Sequence, residues 1–177
     1  MKCIAVWLLL FQAAPPSPVL RIPDSPGVYY CQDARACISL PKAPILETRT
    51  KGLDLFVDTG GYSNLGINVT CSGAKASTRI SVPKPTFYVR AVGPSSDIMI
   101  IQLTKKSQSR TFHTSSGSST VENKQGFKKT DIRKTAVAAY SEGVVSVSPE
   151  ADLKAGEYLL IVGTPENSFD FGIDPEK

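Results

Sequence analysis

One histidine and one tryptophan occur in the 177 residues, and each scarcity removes a class of site. With His113 as the single imidazole, a metal centre built on several histidines is excluded, and any hydroxyl or thiol nucleophile has one histidine base to draw on. Long apolar runs are lacking as well. The run at residues 3–11 is far short of the roughly 20 residues that cross a bilayer as a helix. Also missing are the G-x-S-x-G elbow of serine hydrolases, a glycine-rich loop opening a phosphate-binding helix, and the D-x-D-x-D-G loop that holds calcium. No catalytic, cofactor-binding or metal-binding residue is assigned on this basis, and no cofactor is expected. A hydrolase centred on His113, with Ser115 or Ser116, stands as a remote alternative. Between Phe112 and a Ser/Thr run, His113 is more simply an exposed or partly packed side chain.

What is present points to strands. With 41% hydrophobic and 20% charged residues the chain has material for one globular core, and its 13 Gly and 13 Pro are spread as turn formers. Lys2, the apolar run and Ala13-Ala14 have the three parts of a secretory signal. The expected organisation is a signal over residues 1–14 that is removed, a proline-rich linker over 15–26 and a β-domain over 27–177. Cys3 precedes the apolar run, so it is not a lipidated residue at a cleavage site. Export to the periplasm, the cell surface or the medium is the expectation, with no transmembrane anchor after signal removal.

An oxidising compartment then meets Cys31, Cys37 and Cys71. Val28-Tyr29-Tyr30-Cys31 and Cys37-Ile38-Ser39-Leu40 read as a hairpin that sets Cys31 opposite Cys37, about 4.5 to 5.5 Å apart at Cα and within disulfide range. Cys71 closes the apolar side of Leu65, Ile67 and Val69, and reads as a buried filler. Asn68-Val69-Thr70 matches the N-glycosylation acceptor on the polar face of that strand.

Alternation with period two recurs along the chain. Leu53, Leu55 and Val57 form one face before the turn Asp58-Thr59-Gly60-Gly61, and Thr78, Ile80 and Val82 form another before Pro83. Phe87 opens a further strand, and Ile98-Met99-Ile100-Ile101 is apolar on both faces, as in a covered central strand. Residues 115–126 read as a loop. Residues 131–140 fit a helix capped by Asp131 or a strand; Ser141-Glu142-Gly143 before a β-branched run favours a strand and a hairpin.

Near the end, Pro149, then Leu153-Lys154-Ala155-Gly156-Glu157-Tyr158, then Phe169-Asp170-Phe171-Gly172-Ile173-Asp174 place a tyrosine at the start of the penultimate strand. Phe169, Phe171 and Ile173 share a face, which leaves Asp170 on a solvated one. This stretch resembles an immunoglobulin-like β-sandwich domain of exported bacterial proteins of unknown function, with Tyr158 in the place of a tyrosine corner. The resemblance implies an all-β, antiparallel sandwich and no activity. The Cys…Trp…Cys core of antibody domains is missing, since Trp7 falls in the expected signal.

Charge is segregated along the chain. Lys105, Lys106, Arg110, Lys124, Lys128, Lys129, Arg133 and Lys134 stand against Glu122 and Asp131, a balance of +6, while residues 141–177 carry a balance of −6. The basic stretch is a candidate face for an anionic partner: an envelope protein, an acidic polysaccharide or an anionic lipid head group, and not nucleic acid. Lysines that keep a strand edge from pairing would look the same. The expected function is therefore a non-enzymatic binding or interaction module of the cell envelope or secreted space. A structural subunit of a surface assembly, self-associating through an edge strand or the opposed charges, is the alternative.

Overall fold

The alternating segments among the described residues fold as strands. The computed structural model describes residues 20–33, 36–50, 66–90, 97–115 and 127–175, and these hold fourteen strands and no helix. The first seven are β1 (Gly27–Asp33), β2 (Ala36–Ser39), β3 (Ile45–Thr50), β4 (Gly66–Ser72), β5 (Arg79–Ile80), β6 (Phe87–Arg90) and β7 (Ile98–Gln102). The second seven are β8 (Thr104–Lys105), β9 (Ser109–Ser115), β10 (Ile132–Arg133), β11 (Thr135–Ser141), β12 (Val144–Pro149), β13 (Gly156–Val162) and β14 (Thr164–Ile173). They form three sheets in the orders β11-β12-β6-β1-β2, β10-β7-β13-β14-β5 and β3-β4-β9-β8. All pairings are antiparallel except β14 with β5.

Two apolar clusters show how the sheets stack. Val28, Phe87, Val89 and Val147 of the first sheet meet Ile100, Tyr158, Leu160 and Phe171 of the second. On the opposite face of that second sheet, Met99, Ile101, Leu159 and Ile161 meet Val69, Cys71 and Phe112 of the third. The second sheet is thus the middle layer, which is why Ile98 to Ile101 and Leu159 to Val162 are apolar at every position and buried. A third, smaller cluster covers the outer side of the first sheet, where Leu20 and Ile22 of the proline-rich stretch pack on Tyr29, Tyr88 and Val144.

The stretch at residues 131–140 is strand, but in two sheets. β10 pairs with β7 in the middle sheet, Lys134 crosses over, and β11 pairs with β12 in the first. Gly143 turns the β11–β12 hairpin with φ +68°, a conformation that disfavours a side chain. Cys31 and Cys37 are bonded and directly opposite in the β1–β2 register, 4.0 Å apart at Cα and so closer than the expected spacing, beside a register shift before Asp33. The strand read at Thr78, Ile80 and Val82 ends early. Ile80 is buried while Val82 is exposed, because β5 stops at Ile80 just ahead of Pro83.

Asp170 is the larger departure. Its face of β14 was expected to be solvated, yet only 2% of the residue is exposed because the third sheet covers it. Arg110, on β9 opposite Cys71, projects into this layer and donates to Asp170 Oδ1 at 2.5 Å, Gly73 O at 2.9 Å and Ser72 O at 2.8 Å. Glu157 Oε2 stands 3.6 Å from the same guanidinium and accepts the Ala76 amide at 2.7 Å. Arg79 completes the set, paired with Glu157 and Asp174 at 2.7 Å each. Its guanidinium lies over Gly172, where a methyl group would overlap it. The third sheet is therefore joined to the middle one by ions as well as by oil.

The signal over residues 1–14, the Leu53–Leu55–Val57 strand with its Asp58 to Gly61 turn, Leu65, Lys124 and most of the 115–126 loop lie outside the described residues.

Candidate functional site

Chain connections of one residue bring three sheet edges to one side of the molecule. β7 of the middle sheet passes through Leu103 into β8, the edge of the third sheet, and β10 passes through Lys134 into β11, the edge of the first. Because β10 pairs with β7, these edges run together. The turn at residues 127–131 is fastened there by Phe127, buried against Phe112 at a centroid distance of 6.1 Å, and by the Gln102 amide donating to Asp131 O at 2.8 Å.

This side gathers most of the described basic stretch. Lys105, Lys106, Lys128, Lys129 and Lys134 are exposed. Arg133 is half-buried, donating to Thr130 O at 2.7 Å and to the Gln102 side chain. Arg110 does not belong to the face: at 1% exposure it is spent on the buried carboxylates, because the alternation of β9 turns 110 and 112 inward and 111 and 113 outward.

A cleft of about 420 Å³ opens among these residues, lined by Asn68, Thr104, Thr111, Phe112, His113, Lys128 and Asp131. Asn68 and His113 are cross-strand partners of β4 and β9, with His113 Nδ1 3.2 Å from Asn68 Oδ1. The cleft thus offers an amide, an imidazole and two hydroxyls beside one ammonium and one carboxylate, a set that can hydrogen-bond a polyhydroxylated ligand and neutralise one negative charge on it. Ser115 ends β9, and Ser116 lies outside the described residues.

No protein-family model, curated protein or solved structure matches the chain. The function has to be argued from the site itself.

The acidic stretch at residues 141–177 is partly spent inside the fold. Glu157, Asp170 and Asp174 are engaged by the two arginines of the buried network. Glu150 and Asp152 line a smaller cleft of about 180 Å³ together with Arg133 and Lys134, so they temper the basic side rather than oppose it from afar.

Two tyrosines make the same local bond. Tyr158 donates to Lys154 O at 2.7 Å, and Tyr29 donates to Ser25 O at 2.8 Å, each reaching a carbonyl four residues upstream. In both places the residue two positions before the tyrosine is glycine, Gly156 and Gly27, and a Cβ there would press on the tyrosine ring at 3.4 and 3.3 Å. Both bonds follow a Gly-x-Tyr, and of the two tyrosines only Tyr158 is marked in the sequence by its place at the start of the penultimate strand.

Burial pushes the Cys71 thiol from 9.0 up to about 11, with Asp170 adding to the shift and Arg110 opposing it. The native thiol is expected to resist a maleimide at pH 8 and to react once the protein is unfolded, as read by mass spectrometry. A raised folded-state pKa means that the fold favours the protonated thiol. Its stabilisation is complete below pH 9 and is lost as pH rises through about 11, so the urea midpoint should fall over that window, and fall less in Cys71→Ala.

Proposed function

We propose that this protein is an exported, non-enzymatic binding module that holds an acidic polysaccharide along its lysine-bearing edge. The observation that carries the reading is the meeting of the exposed lysines with the polar cleft: Lys128 belongs to both, and Lys105 adjoins Thr104 of the cleft. Sugar hydroxyls suit the Asn68, His113, Thr104 and Thr111 side chains, and carboxylate or sulfate groups along a polymer suit lysines spaced beyond the cleft. An anionic membrane fits less well, since the described segments beside the cleft, 103–108 and 127–131, expose lysines and other polar side chains and bury Leu103 and Phe127.

We read the paired first and middle sheets as an immunoglobulin-like sandwich to which the third sheet is added. The Tyr158 bond to Lys154 O, at the start of β13, supports that reading.

The test compares retention on an immobilised acidic polysaccharide, a neutral one and anionic vesicles. Retention on the acidic polymer alone, lost between low salt and about 0.5 M salt, is the expected result. Changing Lys105, Lys106, Lys128 and Lys129 to glutamate moves the net charge from +4 to −4 and should abolish it. Equal retention of that variant, or capture by vesicles alone, would overturn the reading.

A further inference from the structure

We propose that two copies of this chain join edge to edge through β11, antiparallel and centred on Ala138. The pairing does not depend on ligand binding in the cleft.

β11 is an outer strand of the first sheet, with β12 on one side and, among the described residues, no strand on the other. Its seven residues, Thr135–Ser141, contain no charge and no proline, and Val137 and Tyr140 are 44% and 38% exposed. The neighbouring edges differ: β8 carries Lys105 and β10 carries Arg133, charges of the kind that discourage pairing. An uncharged edge of this length offers its backbone N–H and C=O groups to another strand.

The charges that bracket β11 select a second copy as the occupant. Lys134 and Glu142 each stand four residues from Ala138, and both are exposed. A two-fold axis normal to the sheet passes through one residue position, because directly opposed residues must point to the same face. With Ala138 on the axis, Lys134 of each copy faces Glu142 of the other, so the attraction is made twice. With Val137 on the axis, Lys134 would face Tyr140 and Glu142 would overhang. The extra residue at Tyr140 leaves residues 135–139 regular and moves Glu142 one ladder position from directly opposite Lys134 of the other copy, a gap that the long lysine side chain spans.

Sedimentation of the whole protein at low salt tests this. A dimer that dissociates on dilution is expected. Ala138→Lys puts two ammonium groups across the axis on exposed positions and should leave only single chains, with an unchanged near-ultraviolet circular dichroism spectrum. Glu142→Lys should weaken the dimer about tenfold, by turning two attractions into two repulsions, and adding Lys134→Glu should restore it to within about twofold. The single reversal is read at Glu142 because Lys134 adjoins Glu150 and Asp152. A single-chain mass at every concentration, a dimer indifferent to Ala138→Lys, or a double reversal that restores nothing would each overturn the proposal.

Discussion

Replacing Arg110 with alanine is expected to lower the free energy of unfolding by about 3–5 kcal/mol, a large part of what a domain of this size has. The guanidinium is the counter-charge of Asp170 and a neighbour of Glu157, and these carboxylates are only 2% and 5% exposed. Its loss strands Asp170 in a layer between two sheets and leaves the carbonyls of Ser72 and Gly73 without their donor. Glu157 suffers less, because Arg79 and the Ala76 amide still hold it. Denaturant titration measures the effect. The companion variant, Arg110→Met with Asp170→Leu, should be more stable than either single change, since an apolar pair of similar volume removes both charges together. A loss below about 1 kcal/mol in Arg110→Ala would mean that the apolar contacts alone hold the third sheet in place.

Phe171→Ala should cost about 3–5 kcal/mol as well, for a different reason. Phe171 is fully buried between the first and middle sheets, with its ring 4.8 Å from that of Phe87 and 5.6 Å from that of Tyr158. Truncation leaves a cavity where the two sheets meet and removes the ring against which Tyr158 stacks. Phe171→Leu keeps much of the volume and should cost less. Val82→Ala, at an exposed site, should stay within about 0.5 kcal/mol in the same denaturant titration. An equal loss in Val82→Ala and Phe171→Ala would contradict the core assignment.

The two effects differ in how far the sequence foretold them. Phe169, Phe171 and Ile173 were placed on one buried face by alternation, and that face is buried. The same alternation put Asp170 on the other face and, by the usual equation of polar with wet, into solvent. Arg110 entered the basic surface for the same reason. Each residue was read alone, and neither showed that it had a partner 60 positions away.

The candidate site was legible in part. The basic stretch was visible as composition, and five of its lysines do face solvent on one side. The cleft was not visible, because its lining comes from β4, β8, β9 and the 127–131 turn, and a linear scan does not align Asn68 with His113. His113 was considered as a catalytic base beside serines; its ring instead meets the amide of Asn68, a residue singled out for an unrelated motif.

The sequence by itself determined the all-β character, the β1–β2 hairpin with its disulfide, the covered strand at Ile98 and the β11–β12 hairpin. These follow from interactions between near neighbours: side-chain alternation, turn residues and short loops that leave few ways to pair. Only the tertiary structure decided that there are three layers, that β10 and β11 part into different sheets, and that five charged residues, the first and last 95 positions apart, come together where two of those layers meet. Alternation states that the two faces of a strand differ. Whether the polar face meets water or a second sheet carrying the opposite charges depends on contacts between distant segments, and those exist only once the chain has folded.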